Sequence, residues 1–538
     1  MELQEMQELR SRANELLLRE EWKDCIHVYS KYIALCDGKI SNKAQDTSDQ
    51  EDLKLKKSLC LALSNRAEAR LRSRDFVSAL QDCSRALQMD KTHLKTLVCK
   101  GKISLEIDHY SEASECFQKA LTHQTCNNQD EVQKLLERSR RLETQSRTGV
   151  YDLSDWVLGK FRGKAPELAE YLGPIQVQRS YNSGGGRGLF LTKNVDTGTL
   201  LFVSKPTAMG RAILPESGDH ESARLIMWKD FVEKVHECIS KSEKIRKMVY
   251  SLAAGEEEEN LVVPDMELFR PDSENPLHVE QETSIDMDRI MKILDVNSLT
   301  EDGLSVKKLG RLGEDSYGVG LWILASFINH SCNPNARRVH IGDRMLVHAS
   351  REIRAGEEVR FSYFDVLLPL TKRREFCKNW GFLCECDRCR IEEGCIDEML
   401  ELEREYESGL DPGEVVVKVE ELILKGRREK GWGKRERWFF RASFWEVYWR
   451  VLESERLMRK WGRIIPSPQS LVDDAIMIFG DERVLRMAKE ELKKVGGEKG
   501  VRVCRGLYGK IMKKKQAMRA LLELSLCDES EKKVKLGD

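Results

Sequence analysis

With 538 residues, 89 Lys plus Arg against 90 Asp plus Glu and a formal net charge of −1, the chain has length for about three or four domains and no overall basic field. That balance excludes binding to nucleic acid or an anionic membrane through net charge alone. No apolar run is long enough to cross a bilayer and the opening MELQEMQELRSRANELLLREEW lacks a signal peptide's basic start and apolar core, so a soluble intracellular protein is expected, its 16 cysteines serving as thiols, metal ligands or catalytic groups.

The first elements in the chain repeat. LCLALSNRAEARLRSRDFVSALQDCSRALQMD lies over HLKTLVCKGKISLEIDHYSEASECFQKALTHQ with a shift of 34 residues, which pairs Leu63 with Leu97, Ala67 with Gly101, Phe76 with Tyr110, Ala79 with Ala113, Cys83 with Phe117 and Ala86 with Ala120. Leu9, Ala13, Trp22, Cys25, Tyr29 and Tyr32 fit the same template 54 residues upstream, one period plus 20. The extra 20, DGKISNKAQDTSDQEDLKLK, are polar and turn-rich and predict a loop between hairpins. Small residues at fixed places let paired helices approach while aromatics fill the next gap. The pattern resembles tetratricopeptide repeats, whose stacked hairpins offer a groove for a peptide or partner protein. They are assigned to residues 1–127, and a charged amphipathic stretch predicts a helical linker over 128–174.

From Ile175 the period changes to 2, with short runs separated by Gly, Asn and Asp, the pattern of strands and turns. Gly184, Gly185, Gly186 and Gly188 lie in the hairpin YNSGGGRGLF. A phosphate loop is excluded, since no Gly-Lys-Ser/Thr follows and no third glycine stands three places beyond the second. The glycines supply positive φ or close approach of backbone, with Arg187 held among them. An insert at about 210–285 reads as helical and carries the acidic run Glu256–Glu259, a solvated loop.

An apolar run ending at Ile328 then gives way to Asn329, His330, Ser331, Cys332, Asn333, Pro334 and Asn335, before the strand-like MLVHAS. A surface turn leaves those flanks unexplained. Downstream, Cys384, Cys386 and Cys389 form C-x-C-x-x-C, three corners of a tetrahedral zinc site. Cys377, Cys395 and Cys332 are candidates for the fourth.

In chain order GGGRGLF, NHSCNPN, GEEVRFSYFD and NWGFLCECDRC resemble the SET-domain protein-lysine methyltransferases over roughly residues 175–391, in wording closest to the branch that also carries a MYND zinc finger. No set of Cys and His ligands for that finger lies between the glycine hairpin and Asn329, so the finger is expected to be missing. The resemblance implies that the polar segment is threaded through a neighbouring loop, its groups facing a cofactor, S-adenosylmethionine. It implies contacts to that cofactor from Gly186, Arg187, Gly188, Asn297, Asn329, His330, Tyr363 and Phe382, with Tyr363 as the catalytic hydroxyl that orients the amine of a substrate lysine. It also makes Cys332 the fourth zinc ligand beside Cys384, Cys386 and Cys389. Trp380 stands where that branch commonly has Tyr, at a channel whose width bears on how many methyls are added.

The remainder is charged and helical, broken by DPG at 411–413 and by VGGEKG. Trp438, Phe439, Phe440, Phe444, Trp445, Tyr448 and Trp449 crowd one broad face, the pattern of core packing. Lys513, Lys514 and Lys515 read as a solvated helix face, with a nuclear-import signal as the alternative. The expected architecture is α+β and multidomain: repeats over 1–127, linker 128–174, a β-rich SET domain over 175–376, a zinc-binding segment over 377–395 and a helical domain over 396–538. The function expected is methyl transfer to lysines of a protein substrate in cytoplasm or nucleus, with the repeats recruiting partners and without strong direct nucleic-acid or membrane binding. The alternative is an inactive SET-fold adaptor that binds partners through its repeats.

Overall fold

The computed structural model describes residues 2–41, 49–122, 129–162, 165–180, 186–213, 220–255, 261–270, 284–300, 316–467, 470–471 and 498–525. Gly184 and Gly185, the acidic run Glu256–Glu259 and the first three residues of VGGEKG lie outside the described residues. The chain divides into two compact units, Met1–Thr148 with Arg270–Thr283, and Gly149–Phe269 with Ser284–Asp538.

The first unit is helical: α1 (Glu2–Leu18), α2 (Trp22–Ser41), α3 (Asp49–Arg72), α4 (Phe76–Met89), α5 (Leu94–Glu106), α6 (Tyr110–Leu121) and α7 (Gln129–Thr148). Its repeat positions become contacts. Ala13, Ala67, Ala79, Ala86, Ala113 and Ala120 are all fully buried, and a Cβ on Gly101 would stand 2.6 Å from the Phe117 ring, so α5 and α6 meet at a distance only glycine permits. Asp82 of α4, buried, is gripped by Arg66 (Nη2 2.6 Å) and Arg70 (Nη1 2.6 Å) of α3, which fixes that hairpin's register. The expected loop over residues 37–56 is shorter, because α2 runs to Ser41 and α3 begins at Asp49.

The second unit carries α8 (Ser154–Leu158), β1 (Tyr171–Leu172), β2 (Ile175–Arg179), β3 (Arg187–Leu191), β4 (Leu200–Ser204), β5 (Met209–Ile213), α9 (His220–Lys241), α10 (Glu243–Tyr250), α11 (Met287–Asn297), β6 (Leu299–Thr300), β7 (Ser316–Gly320), β8 (Asn329–His330), β9 (Ala336–Ile341), β10 (Arg344–Ala349) and β11 (Glu358–Phe361). The strands form three small sheets, ordered β1-β4-β10-β9, β2-β3-β11-β8 and β5-β7-β6. The stretch read as helical linker thus holds a strand, β1, too short to show a period.

Helices follow: α12 (Leu370–Asn379), α13 (Asp387–Glu393), α14 (Ile396–Glu407), α15 (Pro412–Lys430), α16 (Lys434–Ser443), α17 (Trp445–Glu453), α18 (Glu455–Trp461), α19 (Glu498–Tyr508) and α20 (Lys515–Ser525). The DPG break is the start of α15, with Asp411 accepting from Gly413 N at 2.9 Å and Pro412 in the first turn, where its missing N–H costs nothing. The aromatic crowd is core: Trp438, Phe439, Phe440, Phe444, Trp445 and Tyr448 are buried in one cluster that also contains Cys332, Cys384, Cys386 and Cys389. No helix among the described residues is long and apolar enough to cross a membrane.

His348 of β10 lies fully buried under α19, its Nε2 3.1 Å from the carbonyl of Gly506. Burial holds its pKa down to about 4, and Arg337 pushes the same way. Because the unfolded chain takes up this proton near pH 6.5 and the folded chain only near pH 4, stability from this residue is complete above pH 6.5 and is lost as pH falls toward 4. Between pH 7 and 5 the loss is about 2 kcal/mol. Urea titrations at the two pH values are expected to show a drop smaller by that amount in His348→Gln than in the unsubstituted protein.

Candidate active site and metal centre

The polar run after Ile328 is explained by a strand crossing. β8 pairs in parallel with β11, Asn329 opposite Arg360 and His330 opposite Phe361. The small polar groups then serve backbone that would otherwise be orphaned in the interior. Ser331 N donates to Phe361 O at 3.0 Å, Asn335 N to Arg360 O at 3.1 Å and Arg360 N to Asn335 Oδ1 at 2.8 Å, while Asn335 Nδ2 donates to Glu358 O at 2.8 Å. Two separate segments of the chain are thereby held side by side.

The crossing gathers most of the expected residues. Asn329 Nδ2 donates to the carbonyl of Arg187 at 3.0 Å and to Glu358 Oε1 at 2.7 Å. His330 Nδ1 accepts from Tyr363 N at 3.1 Å, so its ring carries its proton on Nε2, 3.3 Å from Cys332 Sγ. Burial pushes this imidazole down to about 3, which keeps it neutral. Tyr363 donates its hydroxyl to the carbonyl of Ile328 at 2.8 Å, and burial with the nearby Glu358 charge holds the phenol well above its ordinary value. Around that ring stand Trp380 at 5.2 Å, Phe361 at 5.7 Å and Phe382 at 6.1 Å between centroids, and Phe382 also lies 5.6 Å from His330. The result is an aromatic wall with one neutral hydroxyl fixed inside it.

Other expected residues lie differently. The Arg187 guanidinium donates to the carbonyls of Ser251 (2.5 Å) and Val262 (3.0 Å) and sits over the Phe327 ring, so its backbone rather than its charge faces Asn329. Asn297 caps backbone, its Nδ2 on Ala253 O and Ile293 O, both 2.7 Å. Its carbonyl accepts from Ser326 Oγ at 3.4 Å, two residues before Ile328. Gly186 has φ +102° with open space where a Cβ would stand, whereas a Cβ on Gly188 would fall 2.4 Å from Glu358 Oε1. Glu358, buried and also bound to Arg360, went unnoticed in the sequence, because a carboxylate alternating with Val359 and Phe361 in a strand reads as a residue of the solvent face.

The cysteines converge. The sulfurs of Cys332, Cys384, Cys386 and Cys389 all lie within 4.8 Å of one another, and all four residues are buried. Four thiolates about 2.3 Å from a zinc ion stand about 3.8 Å apart, so the set fits tetrahedral zinc. Without a metal the four thiols share their protons, the contacts among them favouring the thiolate at Cys386 and, with burial, the thiol at Cys332, Cys384 and Cys389; a bound cation is what makes four thiolates favourable together. Cys377 and Cys395 are buried nearby but lie outside this set.

Residues 186–364, which hold this parallel strand pair, match the family model for the SET domain. A methyltransferase of Gibberella zeae is 24% identical over 401 residues, 71% of this chain and 51% of that one. Histone-lysine N-methyltransferase SET5 of Saccharomyces cerevisiae is 36% identical over 99 residues (18% of this chain, 19% of that one) and histone-lysine N-methyltransferase SMYD3 of Mus musculus 37% over 106 (20% and 24%). The chain therefore spans about half the length of the first of these relatives and a quarter or less of the other two. Among solved structures, the TPR2B-domain:pHsp70-complex of yeast Sti1 matches 26% of this chain and 98% of its own at 19% identity, with a TM-score of 0.21.

Proposed function

We propose that the protein is a lysine methyltransferase that takes its methyl group from S-adenosylmethionine and acts on protein side chains in cytoplasm or nucleus. The observation that carries this is the β8–β11 pairing, which brings His330 and Tyr363, both inside the segment that matches the SET domain, against Phe382 just beyond it. S-adenosylmethionine, when bound, supplies a methyl group already activated on a sulfonium, so the protein's task is mainly positioning. In this reading Gly186, Gly188, Asn329, His330 and the backbone of Arg187 hold the cofactor, Asn297 shapes the backbone behind them and Phe382 covers it. The space beside Gly186 and the half-buried aromatic wall fit such a ligand. Tyr363, neutral at every working pH, orients the incoming amine. The aromatic wall strips water from a substrate lysine and lowers its pKa from about 10.4, which frees the amine.

The repeats recruit a partner or substrate segment. Their support is a polar cluster where Asn65 Nδ2 meets Tyr29 Oη at 2.7 Å and Tyr29 meets Asn14 Oδ1 at 2.6 Å, with Lys95 Nζ on Asn65 Oδ1. Those residues come from successive hairpins, as a peptide laid along the array requires.

The test is transfer itself. Incubated with S-adenosylmethionine and a panel of cell proteins, the protein is expected to add methyl-mass increments to lysines. Absence of any lysine methylation by folded, cofactor-binding protein would overturn the reading in favour of an adaptor.

A further inference from the structure

Beside the cysteine cluster lies a charged group that the site described above does not use. Arg373 of α12, Arg388 of α13 and Glu392 of α13 each have no exposed surface. One carboxylate serves both guanidiniums: Arg388 Nε is 2.9 Å from Glu392 Oε1, and Arg373 Nη2 pairs with Oε2. Among the described residues this network joins two buried guanidiniums to one buried carboxylate in a water-excluded place, where charge must be closely compensated.

Arg373 is also aimed at sulfur. Arg373 Nη1 lies 3.3 Å from Cys389 Sγ, while its Nε donates to Leu368 O at 2.9 Å. Arg388 donates to the carbonyls of Val366 (2.7 Å) and of the ligand Cys332 (3.4 Å), and to Ser443 Oγ of α16 at 2.8 Å. Ser443 Oγ in turn donates a hydrogen bond to Glu392 Oε1 at 2.7 Å and closes the ring. A neutral thiol is a weak acceptor that cannot balance a buried guanidinium. Zinc held by four thiolates carries a net charge of −2, and a cation donating to one of those sulfurs is then favourable.

We propose that Arg373 and Arg388, bridged by Glu392 and locked by Ser443, are a charge-compensating outer shell for a metal tetrathiolate, with Arg373 the positioning residue that retains the metal. The proposal rests on the metal reading of the cluster and goes beyond it in two ways. It makes the helical C-terminal region, through Ser443, a structural part of the metal centre. It also ties the metal to the reacting tyrosine, because the carbonyls held by the two arginines belong to Val366 and Leu368, three and five residues after Tyr363.

The test uses the full chain loaded with one zinc. Arg373→Met, which keeps length and removes charge, is expected to release zinc to a chromophoric chelator about tenfold faster or more, with Arg373→Lys intermediate. In cobalt-loaded protein the thiolate-to-metal charge-transfer band is expected to move to lower energy in Arg373→Met, because a sulfur that loses its cationic donor holds its electrons less tightly. Arg374→Met, from an exposed pair with Glu393, serves as control and leaves both readouts alone. Should Arg373→Met fail to fold, Ser443→Ala carries the chelator test, with faster release again expected. Unchanged release and an unmoved band in metal-loaded Arg373→Met would overturn the proposal while leaving the metal reading intact. A wild-type protein that takes up neither zinc nor cobalt would overturn both.

Discussion

Cys386→Ser protein is expected to purify with little or no zinc and to lose methyl transfer by about a hundredfold or more. Cys386 is one of the four converging sulfurs, and serine offers an alcohol that does not ionise in its place. Loss of the metal leaves Arg373 and Arg388 beside uncharged thiols in a buried core. The segment from Phe382 to Cys395 then loses its tie to Cys332 and the ordering, about 10 kcal/mol or more, that metal binding supplies in small thiolate sites. Phe382 loses its place against His330 and Tyr363 as a result. Metal analysis, limited proteolysis near residues 377–395 and a transfer assay on one preparation check the three consequences together. A fully zinc-loaded, active Cys386→Ser protein would contradict the assignment of the ligand set.

Tyr363→Phe is expected to lower kcat by about 10²–10³ while leaving cofactor affinity within about threefold. The substitution removes one hydroxyl and keeps the ring that packs on Trp380 and Phe382. That hydroxyl is held by the carbonyl of Ile328 at 2.8 Å, which makes it a fixed group rather than a mobile one. Its pKa, raised by burial and by Glu358, keeps it protonated from neutral through alkaline pH, so it contributes no pH dependence there. Rates are then expected to rise with pH through the ionisation of the substrate lysine, with the same profile in wild type and in the residual activity of the variant. A profile that changes shape in Tyr363→Phe would assign the ionisation to the tyrosine instead.

Much of this was legible because it is local. The helical repeats follow from alanines and aromatics at a 34-residue period, and each of the paired alanines is buried. C-x-C-x-x-C announces three ligands on one turn, but Cys332, more than 50 residues away, could be joined to them only through resemblance to a family. What stayed hidden is the charged interior. Glu358, Arg373, Arg388 and Glu392 are residue types that pattern reading assigns to surface, and their burial depends on the crossing of β8 with β11 and on α12 and α13 packing under α16. Arg187 shows the same limit, because a motif gives its position but not the direction in which its guanidinium turns. The loop expected over residues 37–56 was overextended because composition alone does not separate a solvated helix end from a turn.

The most direct measurement of the central claim is calorimetric titration of zinc-loaded protein with S-adenosylmethionine and with its demethylated product, for wild type and Asn329→Ala. Binding of one equivalent of each by the wild type, weakened at least tenfold in the variant, which loses the link between the Arg187 carbonyl and Glu358, is the predicted result. No binding to folded, zinc-loaded wild type, or equal binding by both proteins, would contradict the account of the site.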